Sequence, residues 1–332
     1  MLHRFFIFLV SFWFASNFCF ADTPFVERPD VREFIQKMAH EHGFNKTQLK
    51  NLFSKIKLRP QVIQHIKKPL EKNPWNTYQM LFVNEWRIEH GVKFWRKYAD
   101  ALKKAEKVYG VPPAIIVATI GIETKYGQKT GEYRVLDSLA NLAFNTSRSP
   151  FFKKELAEFL LLTREQHLDP LKVMGSYAGA IGQPQFMPSS YRAYAVNFSG
   201  SGKIDLMNDE VDVIGSIANY YKKNGWKKNS PVAIPAKILG NRYEYLQRKN
   251  KISQAMPSYE LAKYGIVPQY QFDHNIRKVK VIQLQNHYNN EYWLGFHNFD
   301  VIRRYNPNDL YAMAVYQLSA YIVAVKERLN HG

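Results

Sequence analysis

Residues 111–127, VPPAIIVATIGIETKYG, constrain the fold of this chain more than any other stretch. Pro112 and Pro113 suit the first turn of a helix, where the missing N–H groups cost nothing, and Gly127 suits its end. Between them Ile115, Ile116, Ala118, Thr119, Ile120 and Ile122 cover nearly the whole circumference at about 100° per residue. A helix apolar all round has to lie at the centre of a packed domain. The one acid in the run, Glu123, falls in the last turn. A buried carboxyl without a cation partner resists ionisation, so it can hold a proton near neutral pH and deliver it to a leaving group. The segment alone leaves a second reading open, a structural acid paired with Lys125 or with a distant arginine.

The chain begins MLHRFFIFLVSFWFASNFCFA. A basic Arg4, an apolar core from Phe5 to Phe14 and a small-x-small end at Cys19-Phe20-Ala21 read as a signal peptide over 1–21, cleaved after Ala21. The apolar core is shorter than the roughly 20 residues that span a bilayer. Lipid attachment at Cys19 is the less favoured reading, because Ser16-Asn17-Phe18 lacks the small residue expected ahead of a lipidated cysteine. Cys19 is the single cysteine of the 332 residues, so a cleaved chain has no disulfide and must be held by its core. Lysine and arginine number 46 against 28 acids, a net charge of +18. Such a balance points to a polyanionic partner. For an exported chain without a basic low-complexity tail, nucleic acid is set aside in favour of acidic wall polymers, with an anionic membrane surface as a second candidate. The 22 Phe, 21 Tyr and 6 Trp offer faces for sugar rings, although each ring taken singly reads as core.

Apolar spacing of three and four predicts helices over Val31–His42, Lys46–Ser54, Phe94–Tyr109, Leu136–Phe144, Lys153–Glu165, Pro188–Tyr194, Asp212–Asn224 and Asp309–Leu329. Short β-type runs at Val232–Ile238 and Val279–Gln285 mark a change of texture between 228 and 295. The expected fold is mainly α (α+β): a signal peptide over 1–21, a helical domain over 22–95, a catalytic core over 96–227, a small inserted α+β domain over 228–295, and a return to the core with a C-terminal helix over 296–332. A second chemical segment, GSYAGAIGQPQFMPSSYRAYA from Gly175 to Ala195, combines glycines at 175, 179 and 182 with the neutral hydrogen-bonding groups of Ser176, Gln183 and Gln185. Small residues let a backbone approach a ligand, and the neutral groups suit a sugar better than a phosphate.

GIETKYG, AGAIGQPQFMPSSY, DVIGSIANYYKKNGW (212–226) and NFDVIRRYNPNDLYAMAVYQL (298–318) together resemble the lytic murein transglycosylases of the membrane-bound B type, in order and in spacing. The resemblance implies a goose-lysozyme-like core and cleavage of the β-1,4 bond between N-acetylmuramic acid and N-acetylglucosamine in peptidoglycan, leaving 1,6-anhydromuramoyl ends. Glu123 would be the single acid and base. Tyr78, Arg148, Ser176, Gln185, Tyr220, Asn298 and Tyr305 would line the sugar sites. Arg148 lacks the neighbouring arginine of some relatives, and Asp300 stands where relatives often have tyrosine. The resemblance also implies a monomer in the periplasm acting on glycan strands, with no cofactor required.

In relatives the stretch from Asn197 aligns with an EF-hand-like calcium loop. Here Asn197, Ser199 and Ser201 of the remnant, which Lys203 and Asp212 complete, carry no carboxylate, leaving Asp205, Asp209, Glu210 and Asp212 to supply charge, so calcium binding is expected to be weak or lost. Two rival readings stand beside the transglycosylase. One is a hydrolase of the same polymer, with water completing the reaction. The other is a non-catalytic cationic wall-binding protein.

Overall fold

The computed structural model describes residues 24–65, 72–249, 254–273, 275–276 and 278–331. The signal peptide and Cys19 lie outside the described residues. The chain divides into two compact units at Ile56/Lys57. In the first, a 3-10 turn at Phe25–Glu27 leads into α1 (Pro29–His42), and α2 (Lys46–Phe53) follows. Gly43 ends α1 in the left-handed conformation, and the Asn45 side chain caps α2 by accepting from the Gln48 N–H. Val31, Phe34, Ile35 and Met38 form the buried stripe of α1, and the Phe34 ring meets Phe53 at 5.9 Å.

The second unit, Lys57–Gly332, contains α3 (Pro60–His65), α4 (Trp75–Phe82), α5 (Glu85–Lys97), α6 (Ala99–Tyr109) and the apolar helix, α7 (Pro113–Thr124). The single helix expected over Phe94–Tyr109 is in fact the end of α5 and all of α6. Tyr98 breaks the run with φ −113° and ψ 30°, a geometry that apolar periodicity does not reveal. Next come β1 (Tyr133–Arg134), α8 (Val135–Asn145), α9 (Ser149–Glu165), β2 (Met174–Gly175), α10 (Pro188–Tyr194) and α11 (Glu210–Lys223). The completely buried Asp137 of α8 accepts from the Lys57 N–H at 3.0 Å, from Arg59 at 3.3 Å and from Arg134 at 2.5 Å, which ties the start of this unit to α8.

Between α11 and the last helices lies the β-containing insert. It comprises β3 (Ala233–Ile238), α12 (Glu244–Arg248), β4 (Met256–Pro257), β5 (Ile266–Pro268), β6 (Lys278–Gln285) and β7 (Asn290–Gly295). The sheet is antiparallel in the order β4-β6-β7-β3-β5. β3 and β6 match the two runs read from sequence. β4 and β5 are too short for a period of two to show, and β7, NEYWLG, is half polar. The chain then returns through α13 (His297–Tyr305) and α14 (Asp309–His331).

α7 lies where the buried-helix pattern requires, with α5, α6, α11 and α14 packed around it. Every residue of α7 but Glu123 is buried. α4 and α5, grouped by sequence with residues 22–95, pack on α14, and α5 also packs on α7. Among the described residues no single helix is long and apolar enough to cross a membrane.

Candidate active site

Glu123 ends the central helix half exposed, at the point where the chain leaves the core. Lys125, Tyr126 and Gly127 follow with φ of 52°, 58° and 85°, so the helix stops at a left-handed Lys125, two residues before the expected Gly127. Two successive non-glycine residues at positive φ need tertiary contacts to hold them. The Tyr126 hydroxyl donates to the Arg87 carbonyl at 2.6 Å, and Arg87 Nε donates to the Gly121 carbonyl at 3.0 Å. A Cβ at Gly121 would stand 2.5 Å from the Tyr126 hydroxyl oxygen, so only glycine lets the ring close over the helix end. Thr124 Oγ1 donates to the Gln183 carbonyl at 3.0 Å and accepts from the Gly127 N–H at 3.1 Å. The turn that presents Glu123 is thereby tied to α5 on one side and to the 175–187 loop on the other.

The Tyr311 hydroxyl, from the first turns of α14, donates to Glu123 Oε1 at 2.6 Å. Burial pushes the phenols of Tyr221, Tyr305 and Tyr311 well above their ordinary value, and the charge of Glu123 pushes each in the same direction. They stay neutral donors at and around neutral pH. Tyr305 stacks on Tyr311 with centroids 6.3 Å apart and meets Tyr220 at a tilt at 4.7 Å, and its hydroxyl donates to the Pro184 carbonyl at 2.5 Å. The Tyr220 hydroxyl donates to the Arg304 carbonyl at 2.7 Å. Phe186 closes the wall, 5.7 Å from Tyr220 and 5.8 Å from Tyr305. The structure thus gathers Tyr220 and Tyr305 into one aromatic wall whose member Tyr311 touches Glu123.

Beside that wall the 175–187 loop folds on itself. Ser176 Oγ accepts from the Ala180 N–H at 3.0 Å, and Gln185 Nε2 donates to the Thr130 and Gly182 carbonyls at 2.9 and 2.8 Å. Its glycines are also required by the chain's own packing. A Cβ at Gly175 would lie 2.1 Å from the Ala180 carbonyl oxygen, and one at Gly182 would lie 2.5 Å from that of Leu206. At 175 and 182 the missing Cβ admits the chain's own backbone, and at 179 it admits the Leu139 side chain. Gln183, read as a cleft group, is buried and spans to Leu206 and Met207.

Of the other expected sugar-site residues, two are buried and one is exposed. Tyr78 is 1% exposed, its ring packed between Trp75 and Phe82. Asn298 is fully buried; its amide accepts from the Lys227 N–H and donates to the Lys227 and Ser230 carbonyls, which leaves it clamping the approach to the insert. Arg148 is exposed at the start of α9, its guanidinium over Phe151 and Phe152 at 5.0 and 5.3 Å. Asp300 pairs with Lys280 at 2.6 Å.

With this geometry in hand, the chain matches the family described as "Transglycosylase SLT domain" over residues 27–320. It is 41% identical, over 91% of its length and 85% of the relative's, to membrane-bound lytic murein transglycosylase B of Escherichia coli (strain K12). The chain belongs to the lytic murein transglycosylase family. Two solved structures agree. Soluble lytic transglycosylase SltB1 from Pseudomonas aeruginosa superposes with a TM-score of 0.82 at 43% identity, covering 90% of this chain and 100% of that one. Escherichia coli lytic transglycosylase Slt35 in complex with calcium gives 0.82 at 40%, covering 91% and 95%. The enzyme therefore has the mainly helical, lysozyme-like fold that its motifs imply.

The residues of its own loop do not fit calcium. Both oxygens of the buried Asp212 are taken, by the Ser199 N–H at 2.9 Å and the Asp205 N–H at 3.0 Å. Asn197 Oδ1 accepts from Gly200 N–H at 2.9 Å, Ser201 Oγ donates to the Lys203 carbonyl at 3.0 Å, and Lys104 Nζ donates to the Phe198 carbonyl at 2.9 Å. The loop is closed by protein donors where a calcium site would need several converging carboxylates. Among the described residues no three His, Cys, Asp or Glu side chains converge as a metal site.

Sequence reasoning missed Tyr311 and Tyr221 as neighbours of the acid. Both lie in the quoted motif blocks, and the signal available was a tyrosine within an otherwise aliphatic helix face, whose hydroxyl needs a partner once buried.

Proposed function

We propose that Glu123 performs both proton transfers of the lytic reaction. Protonated Glu123 gives its proton to the glycosidic oxygen between N-acetylmuramic acid and N-acetylglucosamine, and the C1–O bond breaks while the substrate's N-acetyl carbonyl oxygen supports the cation at C1. The resulting carboxylate takes the proton of the C6 hydroxyl, O6 bonds to C1, and a 1,6-anhydromuramoyl end leaves with the acid restored. One carboxylate suffices because the nucleophile belongs to the substrate, unlike the two-carboxylate glycosidases.

The observation that carries this reading is the Tyr311–Glu123 hydrogen bond at the end of the buried helix, within a wall of neutral phenols. That bond orients the carboxyl and stabilises the carboxylate that forms as the proton leaves in the first step. Tyr220, Tyr305, Ser176 and Gln185 border the sugar path through their positions beside this wall. The substrate is peptidoglycan, a reading supported by the relatives: a structure of SltB3 from Pseudomonas aeruginosa holds NAG-NAM-pentapeptide. Action on murein, together with the export signal read in residues 1–21, supports a periplasmic location. Calcium is not needed.

Mass spectrometry of fragments released from purified peptidoglycan tests the reaction. The unsubstituted enzyme should yield anhydromuramoyl ends, and Glu123→Gln should lower the rate by at least about 100-fold with the fold intact. Reducing ends in place of anhydro ends would mean a hydrolase, and full activity in Glu123→Gln would remove the acid from its role.

A further inference from the structure

The sheet of the insert has two faces with different neighbours. Ala236, Ile266, Val279, Val281 and Leu294 face the insert's own core. Cross-strand partners share a face, so the opposite face carries the row Ile282–Trp293–Pro235 across β6, β7 and β3. Its β6 end is closed: Ile282 and Leu284 are buried, α14 packs on β6, and Tyr316 of α14 meets Trp293 edge-on at 6.2 Å. From Trp293 towards the edge strand β5 the face opens into a groove of about 470 Å³.

The groove has a floor of half-exposed indole and prolyl ring, Trp293 and Pro235, with Lys237 and Glu291 one step along on the same face and Gln269 and Asn290 at the rim. Glu291 is held in place, since its Oε1 accepts from Asn286 Nδ2 at 3.2 Å. Flat apolar surface ringed by a few amides and charges matches an N-acetylated sugar, whose C–H face stacks on a ring while its hydroxyls and acetamido group take polar partners. A peptide strand fits poorly, because Pro235 and Pro268 remove backbone donors from β3 and the edge strand.

Tyr316 and Tyr311 share α14, but five residues turn a helix by roughly 140° beyond a full turn, so the groove opens to another side than Glu123. Given the reading of the chain as a lytic transglycosylase, we infer that this groove is an accessory site for an N-acetylhexosamine glycan strand, anchoring the enzyme to the wall apart from the cleft where bonds break.

The test uses Glu123→Gln protein, which holds glycan without cutting it, and two probes: a soluble N-acetylglucosamine hexamer followed by calorimetry, and purified peptidoglycan sacculi followed by co-sedimentation in high salt to suppress non-specific charge. Two hexamers per chain are expected, falling to one with Trp293→Ala and returning to two with Trp293→Phe. Sedimentation should weaken about 2- to 10-fold in Trp293→Ala, the effect of losing one ring contact. The exposed pair Lys237→Ala/Gln269→Ala should weaken the second hexamer without touching the core, which guards against misfolding of the tryptophan variant. An unchanged count and unchanged sedimentation in the folded variants would overturn the groove. Anhydro-end release by the unsubstituted enzyme judges the reaction separately, so the two readings can fail independently.

Discussion

At the residue scale, the acid is defined by what surrounds it. Glu123 stood out in the sequence because it is the single charged member of a twelve-residue helix that is otherwise apolar or small, a pattern that chain-local chemistry can display. Tyr311 did not, because it lies 188 residues away and its meaning is a hydrogen bond. Tyr311→Phe removes that bond while keeping the ring. A bond to an ionised carboxylate contributes about 1.5–3 kcal/mol, so turnover should fall about 10- to 100-fold with a nearly unchanged melting temperature. Turnover equal to the unsubstituted enzyme would show that the phenol only packs. Tyr78 and Asn298, expected as glycan contacts, are both buried, and burial is not written in a residue's type or motif position.

At the scale of elements, the left-handed turn after α7 is built by residues on three segments. Gly121→Ala would force its Cβ against a tyrosine hydroxyl that is itself bonded to Arg87. The expected result is a loss of about 1–3 kcal/mol in urea unfolding, together with slower turnover as Glu123 shifts. Retention of both would separate the turn from catalysis. The contact of α9 with α10 includes Arg192, which bonds Glu165 at 2.7–2.8 Å and also pairs with Glu158. The Arg192 hydrogen bond holds the Glu165 carboxyl below its ordinary 4.5. A lowered folded value means stability that is present above pH 4.5 and lost as pH falls through the folded pKa. Glu165→Gln should therefore cost a few tenths of a kcal/mol at pH 7, the side chain being largely solvated, and nothing in acid below that value. Thermal unfolding of both proteins at each pH reads the difference.

At the scale of the whole molecule, the loop from Asn197 to Asp212 keeps its turn through the positive φ of Gly200 and Gly202, while hydrogen bonds from the chain close it. Melting curves with calcium and with a chelator should superimpose; a rise of several degrees with calcium would show that the loop still binds the ion. The net charge of +18 suits adhesion to an acidic polymer, and charge gives no indication of where on the surface that polymer lies.

The sequence by itself established the buried helix, its lone acid, the succession of helices and the place of the β-containing insert, because apolar periodicity, prolines and the four motif blocks are local and survive without coordinates. Tertiary structure alone decided which tyrosines meet Glu123, that Gly175 and Gly182 make room for the chain's own backbone, that α5 and α6 are separate helices, and that one half of the sheet stays uncovered. Each of these depends on contacts between residues far apart in the chain or on a backbone angle that spacing does not encode.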